Sequence, residues 1–293
     1  MKKYTIVGIG ELLFDVFPDR KALGGAPTNF AFHCQQLGHE AISVSAIGRD
    51  TLGEEIKAEL QARQLPAILQ ETDYPTGTVQ VTLSATGSPT YEISEGVAWD
   101  HIAFTGELRA LAQRTDAVCF GSLAQRHEAS RTAILSFLKA MPEGSLRIFD
   151  INLRLQYYTR ETIHTSLEHA DILKLNDEEV PIVAHLLGLE GDMETVCRQV
   201  LTDYSLRAVI LTRGADGCSI YHEKGSVFHP SACIKVADTV GAGDSFTAGF
   251  VSALLAGRSH LEAVALATRV AAFVCCHHGA MPTLPSEYRV VEA

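Results

Sequence analysis

Short β-rich runs alternate with helical patterns along most of the chain, and this alternation constrains the fold more than any other feature. The β-rich runs lie at 4–8, 41–47, 117–120, 146–150, 172–175 and 208–212. Helical patterns lie between most of them, at 29–37, 52–64, 130–141, 160–169 and 178–187. Strands joined by crossover helices form parallel sheets with helices on both faces. The sequence therefore predicts an α/β fold, a three-layer α/β/α sandwich with a mostly parallel central sheet.

One section breaks this alternation and predicts a small second sheet. Residues 78–84 alternate between apolar and polar side chains, a turn-rich stretch follows at 85–89, and 90–93 alternate again. Such a pattern is typical of a β-hairpin, and residues 14–17 add a further candidate strand. We expect one domain over 1–293, with an inserted antiparallel β lid formed from about 14–23 and 74–98.

Composition excludes several classes of protein. The formal net charge is −11 and no Lys/Arg stripe interrupts the acidic background, which argues against nucleic-acid binding but leaves nucleotide binding open. No stretch approaches the roughly 18 apolar residues of a membrane helix. The cysteines are scattered and odd in number, a usage typical of reduced thiols in a cytoplasmic protein; they are Cys34, Cys119, Cys197, Cys218, Cys233, Cys275 and Cys276.

The run 238–250, Asp-Thr-Val-Gly-Ala-Gly-Asp-Ser-Phe-Thr-Ala-Gly-Phe, places a glycine-rich turn at the start of a small-residue helix. Unpaired N–H groups and the positive end of the helix dipole at such a turn bind phosphate or a developing oxyanion. Gly241, Ala242 and Gly243 form the turn, and Asp244 at its mouth can take the proton of an attacking hydroxyl. The alternative is that Asp244 only caps the helix and the glycines only form a turn.

Other polar residues lie at a helix entry and after predicted strands, where ligands gather in open α/β sheets. Gly24 and Gly25 allow close backbone approach before a helix, and Asn29 offers both a donor and an acceptor. Arg154 follows the strand at 146–150; it either reaches the substrate or forms a surface salt bridge. Asn176 and Glu179 follow the strand at 172–175, where they can face a ligand, cap a helix, or do both.

In chain order these motifs resemble the signatures of the ribokinase-like (PfkB) carbohydrate kinases, over residues 5 to 285. The matching segments are Glu-Leu-Leu-Phe-Asp at 11–15, Gly-Gly-Ala-Pro-Thr-Asn at 24–29, Asp-Ile-Asn-Leu-Arg at 150–154, Asn-Asp-Glu-Glu at 176–179, Thr-Arg-Gly-Ala-Asp-Gly at 212–217, the 238–250 run, and Gly-Ala-Met-Pro at 279–282. The form of the 24–29 segment resembles fructokinases in particular.

The resemblance implies a role for each matching residue. Those implied to bind the sugar are Asp15, Gly24, Gly25, Asn29 and Arg154. Those implied to bind the nucleotide are Asn176, Thr212, Arg213, Gly214, Gly217, Gly243 and Gly279. Those implied in catalysis are Gly241, Ala242, Gly243 and, as the base, Asp244.

It also implies metal sites. Glu179 would hold Mg²⁺ through water, because Mg²⁺ keeps several of its waters in proteins. Candidates for a monovalent cation site, such as one for K⁺, are Asp238, Val240, Val274, His277, Gly279 and Thr283. Arg213 stands where the family more often has an uncharged residue, and we expect it to add a phosphate contact.

We therefore expect an ATP-dependent kinase that transfers the γ-phosphoryl group to a primary hydroxyl of a small sugar, with fructose as the best candidate. The alternatives within the class are 2-keto-3-deoxygluconate, a nucleoside, or a phosphosugar, the last requiring further cations, for which Lys21 and Arg154 are the obvious candidates. From another class, the alternative is a non-catalytic sugar-sensing protein. The exposed edges of the hairpin predict a homodimer that pairs its lid sheets.

Overall fold

The strand–helix alternation of the sequence is present in the computed structural model, which describes residues 2–83 and 89–291. The strands are β1 (Thr5–Ile9), β2 (Leu13–Val16), β3 (Lys21–Gly24), β4 (Glu40–Gly48), β5 (Ala67–Thr72), β6 (Gly77–Leu83), β7 (Pro89–Ile93), β8 (Ala117–Phe120), β9 (Leu146–Asp150), β10 (Ile172–Asn176), β11 (Ala208–Thr212), β12 (Cys218–His222) and β13 (Gly225–His229). The helices are α1 (Ala26–Gln36), α2 (Thr51–Ala62), α3 (Gly106–Ala112), α4 (Glu128–Ala140), α5 (Arg160–Glu168), α6 (Glu179–Leu187), α7 (Met193–Asp203), α8 (Ala242–Leu255) and α9 (His260–Cys275).

The central sheet has the strand order β13-β12-β11-β10-β9-β8-β1-β4-β5. Its strands from β11 to β5 are parallel, and β12 and β13 add an antiparallel hairpin at one end. This confirms the predicted, mostly parallel sheet. Continuous burial of β1, β8 and most of β9 and β10 explains why these strands read as apolar runs.

Each face of the central sheet packs against its own layer of helices. Val7 and Ile9 of β1 share one hydrophobic core with residues of α3 to α7. Ile6, whose side chain points to the opposite face, shares the other core with α1, α2, α8 and α9. The three-layer α/β/α prediction is therefore confirmed. Among the described residues, no helix is long and apolar enough to cross a membrane.

A second, four-stranded sheet has the order β3-β2-β6-β7. The predicted hairpin forms from β6 and β7, and the candidate strand at 14–17 corresponds to β2; the predicted turn falls mostly on residues 84–88, outside the described residues. The β2–β3 and β6–β7 pairs are antiparallel, but β2 and β6 run parallel. The reason is that both follow strands of the parallel sheet, β1 and β5, and leave its carboxyl edge in the same direction.

The carboxyl edge of the central sheet is where the predicted site residues meet. β1, β9, β10 and β11 all end there, and the turn that precedes α8 packs against the loop containing Ala280. Gly241 has φ 76°, and a Cβ on it would lie 2.7 Å from Ala280 Cα. A side chain at this position would be strained and would clash, so the close packing of the two segments requires glycine.

Candidate active site

Asp244 lies in the first turn of α8, with its carboxylate held from a distant part of the chain. Asn29 Nδ2, in the first turns of α1, donates to Asp244 Oδ2 at 2.8 Å. Burial raises the pKa of Asp244 to about 6, and the Asp150 carboxylate adds to the rise; the Asn29 hydrogen bond and the cations Lys174 and Arg154 act in the opposite direction. The carboxylate is therefore oriented and has a basicity suited to accepting a proton near neutral pH.

Backbone N–H groups at the start of α8 are available to an anion. Within the part of the chain that the structure describes, the N–H groups of Gly241, Gly243 and Asp244 have no hydrogen-bond acceptor. Ala242 is also implied in catalysis by the resemblance, but its N–H group donates to the Thr239 carbonyl at 3.2 Å, a bond that closes the turn before the helix. The N–H groups left for an anion in this turn are thus those of Gly241, Gly243 and Asp244.

Asn29 is a predicted sugar ligand, and in the structure its side-chain donor contacts the predicted base, Asp244; the sugar contact stays a prediction. Its side chain is buried, with the residue 4% exposed. Asn29 Oδ1 has no partner among the described residues. Asn29 therefore orients Asp244 through Nδ2 and has one oxygen left for a ligand hydroxyl.

Asp15, on β2, is the predicted sugar ligand, and the structure places it directly over Gly24. A Cβ on Gly24 would lie 2.7 Å from Asp15 Oδ2, so glycine is required for the carboxylate to occupy this position. Burial raises the pKa of Asp15 to about 6, against the lowering effect of Arg154. Gly25 has φ 122°, and a Cβ there would meet the Glu11 carbonyl oxygen at 2.3 Å. These two glycines let the entry to α1 approach the segment between the carboxyl end of β1 and the start of β2.

Arg154 is exposed and lies in the same site. Its Nη1 donates to the carbonyl of Leu153 at 3.4 Å, and no carboxylate among the described residues lies within ion-pair distance. Burial raises the pKa values of Glu11, Asp15 and Asp244, and the positive charge of Arg154 partly offsets that rise. Arg154 therefore forms no surface salt bridge with the described residues, and its guanidinium is available to an anionic ligand group.

Lys21, the other candidate cation, points away from Asp15. Lys21 pairs with Val16 in the sheet register, whereas Asp15 pairs with Ala22. Neighbouring residues of a strand face opposite sides, so Lys21 and Asp15 lie on opposite faces. The Lys21 ammonium forms an ion pair with Glu55 of α2. The acceptor side of the site therefore has Arg154 but not Lys21.

Asn176 and Glu179 form the reciprocal pair expected of a helix cap. The Glu179 N–H donates to Asn176 Oδ1 at 2.9 Å, and the Asn176 N–H donates to Glu179 Oε2 at 2.8 Å. Glu179 Oε1 also accepts the Leu153 N–H at 2.8 Å. Burial raises the pKa of Glu179, against the effect of Lys174. Each oxygen keeps a second lone pair, so the buried carboxylate fits an outer-sphere role toward a hydrated Mg²⁺.

The predicted nucleotide segment forms a tight turn after β11. The Arg213 N–H donates to the Gly217 carbonyl at 2.8 Å, and Gly214 and Gly217 have φ 49° and 90°. The Arg213 guanidinium lies along the β12–β13 hairpin: Nη2 is 3.3 Å from Ser219 Oγ, and the group lies 5.5 Å from the Phe228 ring centre. Thr212 Oγ1 is directed to the Leu175 carbonyl at 3.4 Å. The phosphate contact of Arg213 stays a prediction.

Asp238 joins the turn before α8 to the loop at 279. Its Oδ1 accepts the Val240 N–H and its Oδ2 accepts the Gly279 N–H, both at 3.0 Å. Val274 and His277 lie at the end of α9, where the His277 N–H donates to the Val274 carbonyl at 2.9 Å. Across residues 2–83 and 89–291, no group of three or more His, Cys, Asp or Glu side chains could hold a metal ion. The monovalent-cation site, which also includes the exposed Thr283, stays a prediction based mainly on carbonyl oxygens.

Two buried ionisable residues of the site had no role in the sequence-based interpretation. Glu11 is 3% exposed, and its Oε2 has no hydrogen-bond partner in the described part of the chain. Burial raises the pKa of Glu11 to about 7, and the Asp244 charge adds to the rise. Lys174 is 7% exposed and donates to Asp150 Oδ1 at 3.0 Å. The sequence does contain a sign that these two residues are buried. Glu11 follows an apolar strand closely, and Lys174 lies inside one, in the run Ile-Leu-Lys-Leu.

Comparison with known proteins decides the family. The model of the pfkB family carbohydrate kinases matches residues 10–287. The chain belongs to this family. It is therefore a sugar kinase of the pfkB family with the ribokinase-like fold, as the resemblance implied.

The relatives support this assignment over nearly the whole length. The chain is 30% identical to a probable fructokinase-5 of Arabidopsis thaliana, covering 96% of this chain and 94% of the relative. It is 28% identical to an ATP-dependent 6-phosphofructokinase of Thermoanaerobacterium thermosaccharolyticum, covering 97% and 92%. The structure of the sugar kinase PH1459 of Pyrococcus horikoshii superposes with a TM-score of 0.84 at 27% identity, covering 97% and 95%; that protein has also been solved with ATP.

Proposed function

We propose that this pfkB family kinase transfers the γ-phosphoryl group of ATP to a primary hydroxyl of fructose. The observation that carries the proposal is Asp244: a carboxylate with a raised pKa, oriented by Asn29 and adjacent to unpaired N–H groups at the start of α8. A base and an anion-binding helix start within one turn are the two components that phosphoryl transfer to an alcohol needs.

In this proposal Asp15 and Arg154 hold the acceptor, and Asp244 takes the proton of its hydroxyl. The N–H groups of Gly241, Gly243 and Asp244 then stabilise the charge on the transferring group. Phosphoryl transfer depends mainly on such positioning and charge stabilisation. Mg²⁺, when bound to the nucleotide phosphates near Asn176 and Glu179, supplies further neutralisation of phosphate charge.

The identity of the acceptor rests on the polar groups near Asp15. Asp15 accepts hydroxyl hydrogen bonds, which suits a polyol. A phosphosugar would bring about two negative charges to a pocket that contains three carboxyl groups, those of Glu11, Asp15 and Asp244, and one exposed cation, Arg154. Because Lys21 faces the other side of its sheet, we favour an uncharged sugar over the phosphosugar acceptor named in one relative.

We further propose that the sheet β3-β2-β6-β7 acts as a lid and as the interface of a homodimer. It carries Asp15, while the nucleotide residues lie on the body of the molecule. Val79 and Ile93 are buried, but Tyr91 beside them is 50% exposed. Closure over the bound sugar would exclude water and limit hydrolysis of ATP.

A panel of acceptors tests the proposed activity. ADP release would be followed for fructose, 2-keto-3-deoxygluconate, fructose 6-phosphate and adenosine, and the position of the new phosphate would be read by phosphorus–proton NMR. We expect the highest kcat/KM for fructose, with the phosphate on a primary carbon. A higher kcat/KM for an anionic sugar would contradict the proposed substrate, and no acceptor-dependent ADP release would contradict the proposed catalytic role.

A further inference from the structure

Lys174 is a charged residue buried inside the central sheet, directly opposite Asp150 of β9. It lies on β10 between Leu173 and Leu175, which are 0% and 1% exposed. Removing an ammonium group from water costs several kcal/mol unless it is well paired, and an apolar side chain of similar volume often serves stability as well. The presence of a lysine here therefore calls for an explanation beyond packing.

The Lys174 ammonium lies against the first turn of α8. A Cβ on Gly243 would be only 2.9 Å from Lys174 Nζ. The space beside the Gly243 backbone is thus filled by the ammonium itself. Among the described residues, the N–H groups of Gly243 and Asp244 in this turn have no acceptor, so the positive charge lies next to the N–H groups left for an anion.

Asp150 fixes the ammonium in this position. Lys174 Nζ donates to Asp150 Oδ1 at 3.0 Å, and Asp150 Oδ2 lies 3.2 Å from Thr247 Oγ1 in the second turn of α8. Thr247 Oγ1 is also 3.0 Å from the Gly243 carbonyl. One carboxylate thus joins β9, β10 and α8 beneath the predicted transfer site.

The surrounding carboxylates keep Lys174 charged. Burial alone would lower the pKa of Lys174, but Asp150, Glu179 and Asp244 outweigh burial and raise it. Three carboxylates around a single ammonium leave a net negative charge in the absence of the other cations. Without Lys174, a phosphoryl group entering this space would meet carboxylates with less positive charge to offset them.

We propose that Lys174 is a positioning and electrostatic residue of phosphoryl transfer, whose buried ammonium strengthens the positive potential of the α8 start. This inference rests on the proposed role of that helix start. It is distinct from a purely structural role, in which Lys174 would only neutralise Asp150. The two roles differ in what happens when both charges of the pair are removed together.

The test compares Lys174→Met, Lys174→Arg and the double variant Lys174→Met/Asp150→Asn with the wild type. For Lys174→Met we expect kcat to fall by about 10²-fold, the usual effect of removing one stabilising charge or donor from a transition state. Its Kd for fructose should change less than about threefold, since the interaction acts mainly in the transition state. Lys174→Arg keeps the charge and should recover at least about tenfold of the loss in kcat.

The double variant keeps the test decisive if Lys174→Met fails to fold, because it removes both charges of the Lys174–Asp150 pair and does not leave Asp150 buried without its ammonium partner. We expect the double variant to regain thermal stability while its kcat stays about 10²-fold below wild type. Binding of ADP with aluminium fluoride and fructose, a mimic of the transferring state, should weaken more than binding of ADP alone. A double variant with nearly wild-type kcat would overturn the role of Lys174. A wild type without sugar-dependent turnover would instead overturn the proposed function.

Discussion

Glu11→Gln should stabilise the folded protein at alkaline pH but not at acidic pH. Glu11 is buried, and its Oε2 has no hydrogen-bond partner within residues 2–83 and 89–291. Its pKa is raised from 4.5 to about 7, mainly by burial. An ionised carboxylate is therefore less stable in the folded protein than in the unfolded chain. Glutamine has nearly the same shape and never carries that charge.

The sign and size of the effect follow from proton linkage. Well below pH 4.5, Glu11 is protonated in both the folded and the unfolded protein, so it does not affect the free energy of unfolding. Between pH 4.5 and about 7, the folded protein binds more protons than the unfolded chain. The stability of the wild type therefore falls as the pH rises through this range. Above 7 the whole cost is present. A pKa of about 7 against 4.5 corresponds to about 3 kcal/mol in the free energy of unfolding.

Urea unfolding at about pH 4.5 and about pH 8 measures this difference directly. The Gln variant should gain about 3 kcal/mol relative to wild type between the two conditions. Asp15 and Asp244 also have raised pKa values. Both residues are present in the wild type and in the variant, so their pH-dependent contributions to stability cancel in the comparison to first order. Glu143→Gln, at an exposed loop position, is the matched control and should show no such gain. An advantage of Glu11→Gln that is equal at both pH values would refute the reasoning.

Three further predictions concern the site and its lid. Asp15→Ala should weaken fructose binding and leave ATP affinity nearly unchanged in calorimetric titrations; equal weakening of both would indicate a folding defect. Asp244 must be ionised to accept a proton, and its pKa is about 6. We therefore expect kcat to rise with pH through about 6 and then to level off. A kcat that does not change between pH 5 and 7 would exclude Asp244 as the base. Light scattering should give a dimer, twice the 31.7 kDa chain; a monomer would contradict the proposed interface. The backbone amides of residues 78–83 and 90–93 should exchange more slowly with fructose bound, and unchanged exchange would contradict the proposed lid.

Much of the central sheet is predictable from sequence because buried parallel strands are apolar throughout. β1, β8 and β11 follow this rule. The edge strands β5 and β13 are only partly buried and mix polar with apolar residues, so no continuous apolar run marks them. The parallel pairing of β2 with β6 depends on the direction in which both strands leave the central sheet, which no local pattern contains.

The site was predictable as a set of motifs but not as a set of contacts. The glycine-rich turn and Asp244 have a clear local signature. The bond between Asn29 and Asp244 joins residues 215 positions apart, and the contact of Lys174 with Gly243 depends on how β10 packs beneath α8. Such pairs arise from tertiary packing, and for that reason the sequence alone indicates neither the contact of Asn29 with Asp244 nor a place in the site for Glu11 and Lys174.

The central claim, that Asp244 is the base of phosphoryl transfer, is tested most directly by the kcat of Asp244→Asn. The amide keeps the size of the side chain and a hydrogen bond to Asn29, but it cannot accept the proton. We expect the variant to fold and to bind fructose and ATP, with kcat lowered by about 10²–10⁴. A kcat close to that of the wild type, with both substrates saturating, would contradict the assignment of Asp244 as the base.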